Sequence, residues 1–157
     1  MPSTNKGDRL PQADHVLRYI GKKHVDPATN EINGSGFLTR AGEDAPSNNW
    51  IECFADPLTN QLAEIRSRKR LRYEKRGKLV RLNVAKTERH IRDNRTPAGA
   101  PEITFLHDPL EAVSHFPPDP SHSIADGVPQ IGAGPEAELI GDLFLDCVLN
   151  KFDVSPD

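Results

Sequence analysis

The stretch ADPLTNQLAEIRSRKRLRYEKRGKLVRLNV, residues 55–84, changes its hydrophobic period midway, and that change decides the fold class. Leu58, Leu62 and Ile65 recur at i, i+4 and i+7, the single apolar stripe of an amphipathic helix. Asp56 can accept backbone N–H bonds as an N-cap, and Pro57 suits the first helical position, where its missing donor costs nothing. The arginines and lysines that follow suit the negative end of the helix dipole, so the expected helix runs from Leu58 to Tyr73 and ends before Gly77. Beyond that glycine, LVRLNV (79–84) reads as a buried strand with Val80, Leu82 and Val84 on one face.

Working outward, HVLRYI (15–20) has the β-branched and aromatic content of a strand or a short helix, and GFLTR (36–40), WIECF (50–54) and EITFL (102–106) read as further strands. Pro135 opens a second long helix, expected to reach Lys151, whose wide apolar face combines Leu139, Leu143 and Cys147 with Ile140, Phe144 and Val148. A short helix is expected over 86–92. Asp108-Pro109 repeats the cap-and-proline signal, with Glu111 in capping-box position. NRTPAGAPE (94–102) reads as a Pro/Gly linker, and residues 116–134 as one long irregular segment, which in a compact domain is usually functional or disordered. The expected architecture is therefore α+β: a small mixed or antiparallel sheet packed by two main helices, rich in loops, with residues 1–12 a flexible tail and 13–157 one domain.

Composition narrows the function. Fourteen prolines and eleven glycines in 157 residues agree with long connections between short elements. Cys53 and Cys147 stand far apart and form no Cys-x-x-Cys, so a zinc ribbon or a redox pair is excluded and two reduced thiols are expected. The first residues, MPSTNKGDRLPQ, lack the apolar core of a signal peptide, and no apolar run approaches the roughly 20 residues of a membrane helix. The expected location is cytoplasmic, with no membrane contact.

Charge is partitioned. Between Arg66 and Arg92 stand twelve Lys or Arg against Glu74 and Glu88, a balance of +10, whereas residues 102–157 carry eleven acids against Lys151, a balance of -10. Three accounts of the basic run compete. It is a nucleic-acid face releasing counterions from phosphates, a surface docking on an acidic part of this chain or of a partner, or the solvated end of a helix. Its binding candidates are Arg66, Arg68, Lys69, Arg70, Arg72, Lys75 and Arg76.

His122, in Pro120-Ser121-His122-Ser123, is the strongest chemical candidate, because an imidazole titrates near neutrality and here lies between hydroxyl donors in the long irregular segment. Its structural alternative is a loop histidine bound to a backbone carbonyl, and no partner carboxylate is identifiable from sequence. Asp108, beside His107, is better explained as a helix cap. The remaining histidines (His15, His24, His90, His107, His115) show no two-ligand spacing on one helix face, so no metal site is expected. No Walker A, G-x-G-x-x-G or nucleophile elbow occurs, so no nucleotide cofactor and no serine-hydrolase signature are expected. Trp50 reads as core or interface packing, and Arg18 as an ion-pair partner of Glu52 across neighbouring strands.

The order HVLRYI, then NWIE at Asn49–Glu52, then LNV at Leu82–Val84, then DPSHS at Asp119–Ser123, resembles a group of small uncharacterised bacterial proteins. The resemblance implies an accessory role in a multi-gene system, such as those used against phage, and points to His122 and Trp50. The resulting expectation is a non-enzymatic adaptor docking a partner protein through a charge-polarised surface. The alternatives are a sequence-nonspecific nucleic-acid binder using the 66–92 segment, or a small nuclease or hydrolase using His122. No internal repeat and no heptad pattern occurs that would point to a particular oligomer.

Overall fold

The strand His15–Ile20 (β1) is buried on both sides, and the rest of the chain is arranged around it. A computed structural model describes residues 4–95 and 102–155. β1 pairs along its whole length with Lys78–Asn83 (β3) and more briefly with Ser47–Trp50 (β2). Thr104–His107 (β4) and His122–Asp126 (β5) extend the sheet beyond β2, and Asn150–Asp153 (β6) extends it beyond β3. The order is β4-β5-β2-β1-β3-β6, with every pair antiparallel. The expected α+β class holds, with helices on both faces of the sheet.

On one face Val16, Ile20, Trp50, Val80, Leu82, Phe105 and Ala125 meet the helices Val84–Asn94 (α2) and Pro135–Asp146 (α3). Phe144 of α3 stacks on Phe37 at 5.4 Å between ring centroids and meets Phe105 edge-on at 6.4 Å. On the other face Leu17 and Leu79 pack against Leu62 and Ile65 of the helix Leu58–Arg68 (α1). Apolar burial on both faces explains why HVLRYI reads as an almost unbroken hydrophobic run.

Several expectations need correction. The helix that opens at Leu58 stops at Arg68, not Tyr73, because Lys69 turns to extended backbone and carries Tyr73 back to stack on Tyr19 at 4.6 Å. Asp56 does not cap that helix; its carboxylate accepts from Gln61 Nε2 at 3.3 Å. GFLTR is not a strand: residues 34–37 form a 3₁₀ turn capped by Asn33, and Thr39 makes only an isolated bridge to Gln130. The strand expected at WIECF lies three residues earlier, in the polar sequence SNNW, and Ile51–Cys53 turns away as a 3₁₀ helix. Asp108-Pro109 begins no helix; Leu110 and Asp119 exchange backbone hydrogen bonds of 2.9 and 2.8 Å instead.

The segment 116–134 contains β5, whose alternation of half-buried His122 and Ile124 with buried Ser123 and Ala125 has too few apolar residues to register as a strand. α3 ends at Asp146, short of Lys151, since Leu149 N–H donates to Arg81 O and turns the chain into β6. The stretch 4–12, expected as tail, lies along β4: Leu10 is buried and its N–H donates to Phe105 O at 3.0 Å. Most of the expected linker, residues 96–101, lies outside the described residues.

One close approach joins α3 to the 3₁₀ turn. A Cβ built on Gly141 would sit 2.6 Å from Gly34 O, and one on Gly34 would sit 2.6 Å from Gly141 C, so both contacts are with backbone. Gly141→Ala should therefore destabilise the fold by about 1–3 kcal/mol, the usual cost of overpacking, although alanine is the better helix former. Urea unfolding of the two proteins checks this; an unchanged midpoint would mean that the contact is loose.

Candidate functional site

The antiparallel register of β2 and β5 sets Asn49 opposite His122 and Ser47 opposite Ile124. Directly opposed residues share a face, and so do residues two apart in a strand. Ser47, Asn49 and His122 therefore project to the α1 side of the sheet. Behind His122 stands the segment that follows β4, whose Asp108 N–H donates to His122 O at 2.9 Å.

His122 Nδ1 faces two oxygens, Asp108 O at 2.8 Å and Asp108 Oδ2 at 3.2 Å. Neither a carbonyl nor a carboxylate can donate, so Nδ1 carries the hydrogen. In the neutral ring the Nε2 lone pair then faces the Ser47 hydroxyl, 3.1 Å away, which donates to it. A carboxylate, an imidazole and a hydroxyl thus stand in relay. His122 does bind a backbone carbonyl, as its structural alternative required, but it binds a carboxylate as well.

The relay opens on a cleft of about 280 Å³. Ser47, His122, Asn49 and Asp119 line one side, and Arg18, Arg40, Lys69 and Arg70 bring four cations to its wall, with Tyr19, Tyr73, Leu71 and Leu110 as the apolar surface. With the imidazole neutral, four cations against Asp119 leave a net charge of +3. Asp119 is itself buried and spent: its oxygens accept from Asn49 Nδ2 at 3.0 Å and from Ser121 Oγ at 2.7 Å. Asn49 also donates to Ser121 Oγ at 2.8 Å, which fixes its amide. Burial, and after it the Asp119 charge, pushes the Tyr73 phenol up to about 12 and the Cys53 thiol up to about 11.

Arg18 is buried beneath this cleft. Its Nε and Nη2 donate to Gly36 O at 3.1 and 3.0 Å, and Nη1 donates to Ser47 O at 2.8 Å. Arg18 is thus tied to the backbone of the same residue whose hydroxyl meets His122. The expected Arg18–Glu52 pair is corrected: Glu52 instead bonds His15, through Nδ1 at 2.6 Å and its backbone N–H at 2.8 Å.

The basic candidates divide. Arg66 donates to Asp153 O, Arg68 to Pro118 O and Glu64, and Arg70 to Glu111 O and Pro117 O. These three fasten β6 and the 109–119 loop to the end of α1. Lys69 lies 5.0 Å above the Tyr73 ring and faces the cleft, Arg72 lines an adjoining cleft, and Lys75 and Arg76 are exposed. Trp50 is buried in the core, with Nε1 donating to Asp14 at 2.9 Å and the ring edge-on to His107. Its contacts are those of a packing residue. Among the described residues no three His, Cys, Asp or Glu side chains converge as a metal would need, and Cys53 and Cys147 are free thiols.

Of the relay, sequence reading found His122 and missed Ser47 and Asp108. The Asp-Pro signal that suggested a cap was the competing reading at Asp108, and Ser47 sits in a strand too polar to be recognised as one.

Two outcomes follow. Two-bond ¹⁵N–¹H spectra of the neutral protein should show His122 as the Nδ1–H tautomer, and an Nε2–H pattern would dismantle the relay. Tyr73, neutral up to about 12 when folded, keeps its proton where an unfolded tyrosine loses it near 10. The unfolded chain then binds fewer protons, so stability falls as pH rises from about 10 to 12. Urea midpoints over that range should fall less steeply for Tyr73→Phe than for the wild type.

Compared with protein-family models, curated proteins and solved structures, the chain shows no significant match, so its geometry alone carries the functional argument.

Proposed function

We propose that the protein is a small hydrolase of anionic esters, with His122 as general base and then general acid, and Ser47 as the hydroxyl it activates. The observation that carries this reading is the Asp108–His122–Ser47 relay at the mouth of a cationic cleft. Ser47 Oγ attacks the electrophilic centre of the ester while its proton passes to His122 Nε2, and a new bond forms from Oγ to carbon or phosphorus. The ester bond to the leaving oxygen breaks, and that oxygen takes the proton from Nε2. Water then repeats the sequence, releasing the acid and restoring the serine. Asp108 holds the ring and faces the imidazolium that forms midway, as the acidic member of such relays does on unrelated folds. Arg40, Lys69 and Arg70 supply positive charge where the substrate's negative charge sits.

A second reading, docking of a partner protein, draws on the exposed apolar side chains Leu71, Val113 and Phe116. Arg70 lies 5.8 Å over the Phe116 ring, so charge and apolar surface adjoin there as in interface hot spots. The third, nucleic-acid binding, keeps Lys69, Arg72, Lys75 and Arg76 as its contacts.

Release of p-nitrophenol from p-nitrophenyl phosphate, bis(p-nitrophenyl) phosphate and p-nitrophenyl hemisuccinate tests the first reading. We expect turnover of at least one, reduced by about 10²–10⁴-fold in Ser47→Ala and in His122→Gln with circular dichroism unchanged. Turnover that survives both substitutions, or none with any of the three esters, rejects the hydrolase. A partner lost on Phe116→Ser but retained by Ser47→Ala would favour docking.

A further inference from the structure

We propose that the cleft is one half of a longer anion trough that binds a ligand carrying two or more linked phosphates, with Arg18 and Arg40 at its centre. This rests on the same cleft as the hydrolase reading and names the class of ligand that it takes.

The first observation is Arg18. The residue is 5% exposed, and its guanidinium has no carboxylate within ion-pair distance among the described residues. Three of its N–H donors go to carbonyls, which leaves two of the five for a ligand. Burial, then the neighbouring Arg40 charge, lowers its pKa to about 10, with Glu43 opposing. Glu43 is already engaged by Arg40 at 3.4 Å. Two guanidiniums that repel one another, with Glu43 paired to Arg40 alone, leave a charge deficit that an anion can fill.

The second observation is continuity. An adjoining cleft of about 140 Å³ shares Arg18, Tyr19, Arg40 and Leu71 with the larger one. It adds Lys23 and Arg72, which have no ion pair among the described residues, and Glu74, which is held by Lys22 and Tyr19. Cations therefore continue on both sides of the Arg18–Arg40 pair: Lys69 and Arg70 toward the relay, Lys23 and Arg72 away from it. Both acids on the walls, Asp119 and Glu74, are spent on protein donors. A single phosphate fills one position on such a track. A diphosphate spans the shared arginines, and guanidinium forks suit its oxygens.

Isothermal titration of the intact His122→Gln protein at low salt, with inorganic phosphate, pyrophosphate, ADP and the single strand rU10, tests the proposal. Because that variant lacks the base, binding is read apart from hydrolysis. We expect pyrophosphate and ADP to bind at least tenfold more tightly than phosphate, with that affinity lost at least tenfold in Arg40→Gln and in Lys69→Gln. Arg18→Lys keeps the charge but not the fork, and should weaken binding if folded. Tightest binding by rU10 would assign the trough to phosphodiester strands and overturn the proposal. So would pyrophosphate binding that ignores Arg40→Gln, or no binding by any probe. Hydrolysis of p-nitrophenyl hemisuccinate without pyrophosphate binding would sink this inference and leave the hydrolase standing. Pyrophosphate binding without turnover of any ester would do the reverse.

Discussion

The constraint on which the structure depends is a guanidinium buried beside the central strand. The β1–β2 pairing closes at Leu17 opposite Asn49, and from there the Arg18 side chain replaces the missing ladder by donating to Ser47 O. The same group holds Gly36 O, so one side chain fastens β2 and the 3₁₀ turn to β1. Hydrogen bonds from charged groups contribute about 1.5–3 kcal/mol each, and losing the donor would leave the carbonyls unsatisfied. The turn in turn carries Gly34 against Gly141 of α3 and Phe37 against Phe144. Position of Ser47, seating of α3 and closure of the core on that face are therefore mechanically linked.

What the sequence made legible follows from how each element is held. β1, β3, α1 and α3 are secured by apolar burial, and their periods announce them. β2, β5 and β6 are secured by the ladder and by polar side chains, so SNNW, HSIAD and NKFD carry almost no periodic signal. The relay residue that was found, His122, was found from its chemistry. Asp108 was obscured because an aspartate before proline is a strong local cap signal. The local signal lost to a tertiary one: the carboxylate turns to an imidazole contributed by a strand fourteen residues later.

The charge partition was legible as a number but not as a geometry. Much of the basic run is consumed within the chain, yet mostly on carbonyls, not on the acidic residues that the -10 balance offered. Arg66, Arg68 and Arg70 alternate along a chain leaving its helix, and each reaches a different carbonyl. A guanidinium can do this where an ammonium does so less well, because its planar fork serves several acceptors at once. That explains arginine's dominance at these three positions and leaves Lys69, between two of them, turned the other way over Tyr73.

This alternation also connects stability to the site. The 109–119 loop has little apolar anchorage of its own, since Val113 and Phe116 are exposed, yet it bears Asp119 and leads away from Asp108. Its attachment is polar: Arg68 and Arg70 hold its carbonyls, while Asn49 and Ser121 hold the Asp119 carboxylate. A loop held by charge-assisted bonds opens at lower free energy than one seated in a core. The wall of the cleft that carries Leu110 and Asp119 is thus held chiefly by polar bonds, whereas Ser47, Asn49 and His122 stand on strands of the sheet. On the hydrolase reading, Ser47 and His122 stand on strands of the sheet and face a wall held by polar bonds, an arrangement that admits a ligand without disturbing the relay.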